Sequence, residues 1–219
     1  SGIGSWGNAV FKLNETSNEA IQEIKSKISA KALPNAIISN MCHSIDSWDA
    51  KLMPLGFERL NSNDGMALQL NTYSNIQSPK ELRIQRCTNE ATFLDWSRIA
   101  NNYLFKCFNE DYISRFSTLM YKVYQESDYA AFVGYINYIP VASSACFINN
   151  NVGGIYLVAV ETEHRNKGYG TAITDACLEH GTKNDVYNYI LHATELGKYS
   201  YQKLGFKSLG KRCRYRLKA

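Results

Sequence analysis

The chain has 219 residues, a formal net charge of +4 and a composition that is 45% hydrophobic and 12% aromatic. These values are typical of a packed globular protein with one large or two small domains, and they exclude a disordered chain. The positive charge is not gathered into a dense basic stripe, although the final segment KRCRYRLK is locally basic. We therefore expect no nucleic-acid partner.

The six cysteines include no C-x-x-C pair, so the sequence predicts neither a metal site nor a small disulfide framework. No export leader is recognised at the start of the chain, and reduced thiols suit a cytoplasmic protein. Residues 129–160 carry no charged side chain, but Pro140 and the asparagines at 149–151 interrupt the run. This pattern predicts buried strands and no membrane association.

The N-terminal region is predicted to begin with a strand at 8–13, followed by a helix. Thr16 and Glu19 have the spacing of a capping box, and apolar residues recur behind them at helical intervals. Leu33 and Pro34 are expected to end this helix, because proline disfavours a helical residue before it.

Two strands are predicted next, at 53–60 and 66–70, separated by a turn with the sequence NSNDG. The polar, proline-bearing stretch 71–80 follows and is interpreted as a linker. Beyond it, strand-like and helix-like runs alternate, which favours an α/β fold with a mixed sheet. In chain order we expect a strand at 81–87, a helix capped at Thr88, a helix at 111–123, a hairpin around 136–139, a strand at 154–160, a helix from Thr171 to His180 stopped by Gly181, a strand at 187–194, a short helix ending at Gly205, and a final edge strand.

The stretch HRNKGYGTAI (164–173) lies between the strand-like run GIYLVAV and the following helix. The first N–H groups of a helix lack intrahelical partners, and the helix dipole makes that end positive. Gly168 and Gly170 remove side chains that would keep an anion from the backbone, and Arg165 and Lys167 add positive charge. A diphosphate is the ligand predicted for this turn, and the alternative is a glycine-rich turn that binds no ligand. Neither the P-loop pattern nor a complete dinucleotide fingerprint is present.

These residues, together with LHAT and SYQKLGF further on, resemble the GNAT acyltransferase superfamily. The resemblance covers 81–219 and implies a GNAT acyl-CoA-binding fold that uses acetyl-CoA and an amine acceptor. Residues 1–72 would then be a degenerate GNAT-like half, as in tandem members, with 73–80 as the linker. Trp6, His43 and Trp48 are candidates for a wall of the acceptor pocket, although tryptophan is more often part of a core.

The resemblance also implies roles for individual residues. The main chain of the fourth family strand would pair with the pantetheine arm, and one N–H near Val158 would polarise the thioester carbonyl. The backbone amides of the glycine-rich turn would hold the pyrophosphate. The residues assigned to acetyl-CoA in this way are Val158, Ala159, Val160, Arg165, Asn166, Lys167, Gly168, Tyr169, Gly170 and Thr171.

Tyr201, in SYQKLGF, matches the position of a tyrosine that protonates the departing CoA thiolate in many members of the superfamily. A phenol with a pKa of about 10 is only modestly weaker as an acid than a thiol with a pKa near 8.5, so the transfer is feasible. The alternative is a tyrosine that only packs a short helix.

The general base is left open between a side chain and water. Glu161 and Glu163 are the nearby carboxylates, and Glu161 is the candidate we assign. Gly154 stands where some relatives carry a glutamate, so a water chain oriented by His192 is an alternative.

The resemblance implies an N-acetyltransferase, and we expect it to act on a small-molecule amine by direct attack in a ternary complex. A peptide or protein N-acetyltransferase and a non-catalytic acyl-CoA sensor are the alternatives. A monomer or a homodimer is expected.

Overall fold

The computed structural model describes residues 18–33, 37–38, 45–70 and 76–218. The helices are α1 (Asn18–Ser29), α2 (Asp46–Leu52), α3 (Glu90–Ala100), α4 (Glu110–Glu126), α5 (Tyr169–Thr182) and α6 (Glu195–Lys203), with a π-helical turn at Asn101–Phe105 and short 3₁₀ turns at Met53–Leu55 and Thr162–His164. The strands are β1 (Ile37–Ile38), β2 (Phe57–Gln69), β3 (Arg83–Arg86), β4 (Tyr129–Ile136), β5 (Ile139–Asn149), β6 (Val152–Val160), β7 (Asn188–Ala193) and β8 (Lys207–Leu217).

The chain forms two compact units that combine distant segments. The first comprises Ser1–Met66, His192–Glu195 and Ser208–Ala219, and the second comprises Ala67–Leu191 and Leu196–Lys207. The C-terminal segment belongs to the first unit because β8 pairs with β2 there. The division at 73–80 that we drew from the sequence stays a prediction.

In the first unit, the strands are ordered β1-β8-β2. The prediction that the final strand is an edge strand is therefore wrong for part of its length, because β1 pairs with it at Arg214 and Tyr215. Trp48, a candidate pocket residue, is buried in the core of this unit. That core consists of Ile21, Ile28, Trp48, Leu52, Phe57, Cys213 and Tyr215.

The predicted turn at NSNDG is wrong, because β2 runs through it without a break. Asp64, in the middle of this sequence, is buried. It accepts hydrogen bonds from Ser208 Oγ at 2.9 Å and from Lys211 Nζ at 2.7 Å. The sequence NSNDG has the residues of a turn, but its partners on β8 keep it in an extended strand. Tertiary contacts here override the local preference for a turn.

The second unit contains a sheet with the order β7-β6-β5-β4-β3, antiparallel from β3 to β6 and parallel between β6 and β7. The hairpin predicted around 136–139 is confirmed, with Asn137 and Tyr138 at positive φ in its two-residue turn. Helices α3 and α4 pack with the sheet around a core of Cys87, Phe93, Trp96, Tyr129, Ala131, Val133 and Ala145. Helix α5 also packs against β4, β5 and β6.

Three predicted helix boundaries need correction. Helix α3 is capped by Asn89 rather than Thr88, because the Asn89 side chain accepts the N–H of Thr92. Helix α5 begins at Tyr169, so the predicted start at Thr171 is two residues late. Gly181 lies inside α5 and does not stop it. A Cβ at Gly181 would collide with the Tyr189 hydroxyl, so this glycine makes room for a buried ring.

Several predictions fall on residues outside the described ranges. These are the strand at 8–13, the capping role of Thr16, the stop at Pro34, and the pocket candidates Trp6 and His43.

Candidate functional site

Strand β6 has one edge that is only partly paired. It pairs with β7 at Val152–Gly154 and with β5 on its other side along nearly its whole length. From residue 155 to 160, no strand of the described second unit pairs with the β7-facing edge of β6. Unpaired strand groups are available to a ligand that extends the sheet.

The same part of β6 contains a bulge. Its register against β5 shifts between Ser143 and Ala145, and Leu157 takes a left-handed conformation with φ of 54°. Two distant side chains hold this geometry: Ser143 Oγ donates to the Leu157 carbonyl at 3.0 Å, and Trp96 Nε1 donates to the Ser144 carbonyl at 2.8 Å. A non-glycine residue at positive φ costs free energy and is found most often where function requires it.

The bulge determines which backbone groups are free at the open edge. The N–H of Glu161 donates to the Val141 carbonyl of β5 at 2.9 Å. Because backbone groups of successive strand residues point to opposite edges, those of Val158 and Val160 point away from β5, and those of Ala159 point toward it. Of the three residues predicted to meet the pantetheine arm, we infer that Val158 presents open backbone groups and that Val160 presents its N–H, because the Val160 carbonyl accepts a hydrogen bond from Arg165 Nε.

The glycine-rich turn follows β6 and leads into α5. Gly168 is the N-cap of α5, with φ of 83°, and no side chain caps this helix. Asn166 also has positive φ, at 61°. The first main-chain bond into the helix runs from Ala172 N to the Gly168 carbonyl, so the N–H groups of the preceding residues are not used by the helix. This arrangement leaves main-chain donors at the positive end of a helix dipole.

The two basic residues of the turn differ in their surroundings. Arg165 Nε donates to the Val160 carbonyl at 3.2 Å, which ties the guanidinium to the end of β6. Lys167 is exposed. A hydrogen bond from the backbone of Glu81 itself, and then one from Tyr169, lower the pKa of the Glu81 carboxyl, and the charge of Lys167 makes the smallest contribution. Both cations therefore remain beside the turn, one of them fixed to the strand.

A segment before β3 lies against the turn. A Cβ at Gly168 would lie 3.6 Å from Pro79 Cγ, and the Tyr169 hydroxyl donates to Glu81 Oε1 at 3.0 Å. Tyr169 is buried, and its ring stacks on His164 with a centroid distance of 6.1 Å. Burial is the main reason that the pKa of Tyr169 is raised, and its hydrogen bond to Glu81 adds to the effect. These contacts fix the start of α5.

Glu161, the candidate base, has two partners. Its Oε1 accepts a hydrogen bond from the Tyr103 hydroxyl at 2.6 Å, and its Oε2 lies 3.5 Å from His164 Nε2. Burial, and then the carboxylate of Glu161, raise the pKa of Tyr103 to about 12, so this phenol stays a donor. The Nδ1 of His164 is buried and has no hydrogen-bond partner among the described residues. Glu163, the other candidate, is exposed.

Tyr103 lies in the π-helical turn at Asn101–Phe105, which sequence reasoning missed. Apolar residues recur at helical intervals from Phe93 to Tyr103, which predicts an ordinary helix through Tyr103, and π-helical turns have no reliable local signature. Such turns occur frequently at functional sites. Here the turn lies at the end of α3 and carries the phenol that contacts the end of β6.

Tyr201 lies in α6 and is buried, with 8% of its surface exposed. Its ring meets Phe206 edge-on at a centroid distance of 6.0 Å. Burial raises the pKa of its phenol, and the thiol of Cys177 in α5 adds to the rise. The phenol is therefore protonated throughout the physiological range. No hydrogen bond to its hydroxyl is found in the described part of the chain.

His192, the candidate for orienting water, belongs to the first unit. Its Nδ1 lies 3.3 Å from Arg212 Nη1. Although His192 is exposed by surface area, crowding of its ring by neighbouring atoms, and then the charge of Arg212, lower the pKa of His192, so the ring is neutral at physiological pH.

Within the described ranges, no group of three or more His, Cys, Asp or Glu residues is placed to hold a metal ion. The same ranges contain no helix with the length and hydropathy needed to cross a membrane.

Comparison with models of known protein families identifies the family of this chain. The model of the acetyltransferase (GNAT) family matches residues 90–206, which is more than half of the chain. A search of curated protein sequences finds no match.

Solved structures share the fold at low sequence identity. A GCN5-related N-acetyltransferase from Kribbella flavida superposes with a TM-score of 0.67 at 14% identity, over 92% of this chain and 75% of that one. A tandem GNAT protein from the clavulanic acid biosynthesis pathway gives 0.67 at 12% identity, over 90% and 68%. The glucosamine N-acetyltransferase region of a fungal multi-domain β-N-acetylglucosaminidase gives 0.63 at 13% identity, over 90% and 27%.

Proposed function

Because the chain belongs to the acetyltransferase (GNAT) family, we propose that it transfers an acetyl group from acetyl-CoA to the primary amine of a small molecule, by direct attack in a ternary complex. The observation that carries this proposal is the open, bulged edge of β6 followed directly by the uncapped start of α5. The edge suits an extended amide-bearing arm, and the helix start suits a diphosphate.

The donor-binding residues fit acetyl-CoA in chemistry. The free backbone groups of Val158 and the N–H of Val160 can pair with the amides of the pantetheine arm, while the Val160 carbonyl is already hydrogen-bonded to Arg165. The amides from Asn166 to Thr171, with the side chains of Arg165 and Lys167, can hold the pyrophosphate, while the N–H of Arg165 already donates to the Thr162 carbonyl. The exposed main chain at Gly168 has no Cβ to separate it from the anion. Acetyl-CoA supplies the activated acyl group, and the protein supplies orientation and charge stabilisation.

Val158 has the role of polarising the thioester carbonyl. Its N–H lies at the bulge and points to the open edge, where it can meet an oxygen that gains negative charge as the amine attacks. A donor of this kind stabilises the transition state more than the ground state, so it contributes to rate as well as to binding. Tyr201 is proposed to protonate the departing thiolate, and burial raises the pKa of its phenol, so the proton is in place when the thiolate leaves.

Glu161 is proposed to accept the proton that the ammonium must lose. Tyr103 fixes one oxygen of its carboxylate, and the other oxygen, 3.5 Å from His164 Nε2, is the one that can accept the proton. We expect Glu161→Gln to lower kcat/KM about 100-fold near neutral pH. The loss should shrink as the pH approaches the pKa of the amine, because free amine then needs no base. A pH–rate profile measures this.

Glu163→Gln is the matched control, since this neighbouring glutamate is exposed and should leave the profile unchanged. The glutamine at 161 retains an oxygen that can accept from Tyr103, so the local geometry is kept. An equal loss at every pH, or a loss confined to acetyl-CoA affinity, would show that Glu161 positions the turn instead.

The overall proposal is tested by acetyl-CoA consumption against a panel of amines that includes glucosamine, polyamines, amino acids and lysyl peptides. We expect thiol release with at least one small amine and tight acetyl-CoA binding in calorimetry. Turnover only with peptides would favour the protein-acetylating alternative. Binding without any turnover would favour an acyl-CoA sensor.

A further inference from the structure

Tyr156 of β6 lies flat against its own strand. A Cβ at Gly154 would fall 2.6 Å from both Cε2 and Oη of Tyr156. The ring therefore occupies the space that a side chain at residue 154 would need, on the same face of the strand. Only glycine at this position lets the tyrosine ring lie over the backbone without moving.

The surface around this ring is apolar and open. Phe147 and Ile190 are the register partners of Gly154 on β5 and β7, so their side chains share its face of the sheet. Phe147, Tyr156 and Ile190 are 37%, 45% and 47% exposed. We name Phe147, Gly154, Tyr156 and Ile190 the acceptor floor.

The opposite face of the same strands is filled. A Cβ at Gly153 would lie 2.5 Å from the ring of Tyr189, and Ile155 is buried. Only one face of this part of the sheet is therefore exposed, and it is the face that contains the acceptor floor. This is the face on which α3 and α4 cover other residues of the strands.

The acceptor floor is continuous with the proposed reaction centre. Tyr156 directly precedes the bulge at Leu157, and its Cα is about 7 Å along the strand from that of Val158. A molecule that rests on the Tyr156 ring can therefore place an amine near a carbonyl held by Val158. No member of the floor carries a charge, so a polycationic acceptor would find no carboxylate there.

We infer that Tyr156 selects the acceptor by stacking on its carbon skeleton, and that the substrate class is a primary amine joined through a short linker to an aromatic ring. This inference rests on the proposed acetyl transfer and adds a specificity-determining residue to it. Aromatic side chains bind flat rings by offset or edge-on stacking, which an aliphatic chain of three carbons cannot match. The Tyr156 hydroxyl has no hydrogen-bond partner among the described residues and remains available to a polar ring substituent.

The test compares two probe amines, 2-phenylethylamine and n-propylamine, by the ratio of their kcat/KM values. We expect the unmodified chain to favour 2-phenylethylamine at least tenfold. Tyr156→Ala should reduce the ratio to near one through KM of the aromatic amine, with the dissociation constant of acetyl-CoA unchanged. Tyr156→Phe should keep the ratio. Gly154→Ala, which displaces the ring but retains it, should lower the ratio partly.

Tyr138→Ala is the matched control, since Tyr138 is an exposed tyrosine in the turn between β4 and β5. A ratio near one in the unmodified chain, or a high ratio that survives Tyr156→Ala, would overturn the inference. Turnover with lysyl peptides and neither probe amine would also overturn it and leave acetyl transfer standing. Failure of acetyl-CoA to bind would instead defeat the proposed function itself.

Discussion

Gly168→Glu should weaken acetyl-CoA binding at least 100-fold in calorimetry. Gly168 is the N-cap of α5, and its main chain is where a diphosphate would meet the N–H groups of the helix start. A carboxylate within about 5 Å of a phosphate costs about 1 to 4 kcal/mol near a protein surface. The substitution also places a side chain on a residue with a left-handed conformation, φ of 83°. This strain costs about 1 to 2 kcal/mol and disfavours the turn conformation that binds the diphosphate.

Gly168→Gln separates these two causes, because glutamine has the size and the strain of glutamate without its charge. We expect the glutamine variant to bind about tenfold more weakly than the unmodified chain, and the glutamate variant to lose at least a further tenfold. The difference between them should shrink at high salt. Equal losses in both variants would attribute the effect to the loop conformation, and unchanged affinity with glutamate would remove the diphosphate from this turn.

The position of this turn could be predicted from the sequence because its determinants are local. Gly168 and Gly170 with two neighbouring cations, between a strand-like and a helix-like run, specify a helix start with free amides. The boundary was missed by two residues, since Tyr169 begins the helix although nothing in its side chain marks a cap. The periodicity of apolar residues indicates whether a segment is a helix or a strand, whereas the residues at which it begins and ends depend on individual hydrogen bonds.

The bulge could not be predicted, although the proposed mechanism depends on it. Leu157 is neither glycine nor asparagine, so its positive φ has no sequence signal. The conformation is held by Ser143 and Trp96, which lie on other elements of the unit. Sequence reasoning indicated that an N–H near Val158 matters, but only the structure supplies the reason that this N–H points to the open edge.

The partners of Glu161 could not be predicted from the sequence either. Tyr103 lies 58 residues away in the chain, in a π-helical turn that periodicity treats as ordinary helix. A loop glutamate is usually solvated, and the sequence offered no reason to prefer Glu161 over Glu163 beyond its place next to β6. The contact with Tyr103 and the approach of His164 distinguish the two carboxylates.

Tyr201→Phe should lower kcat about 100-fold and leave the dissociation constant of acetyl-CoA within twofold of its original value. Positioned general acids contribute about 10²- to 10⁴-fold, and the substitution removes only the hydroxyl. The ring that packs on Phe206 is retained, so the fold of α6 should be kept. Because burial keeps the phenol protonated, its removal should lower kcat without moving the pH optimum between pH 6 and 9.

Tyr199→Phe is the control for this experiment, since Tyr199 lies on the same helix and its ring is exposed. Its kcat should match that of the unmodified chain. Calorimetry gives the affinity for acetyl-CoA, and thiol release gives kcat for an amine identified in the panel. Unchanged turnover in Tyr201→Phe would remove the acid role and leave Tyr201 as a core residue of α6. A loss of affinity equal to the loss of rate would mean that the hydroxyl binds acetyl-CoA in the ground state rather than serving the departing thiolate.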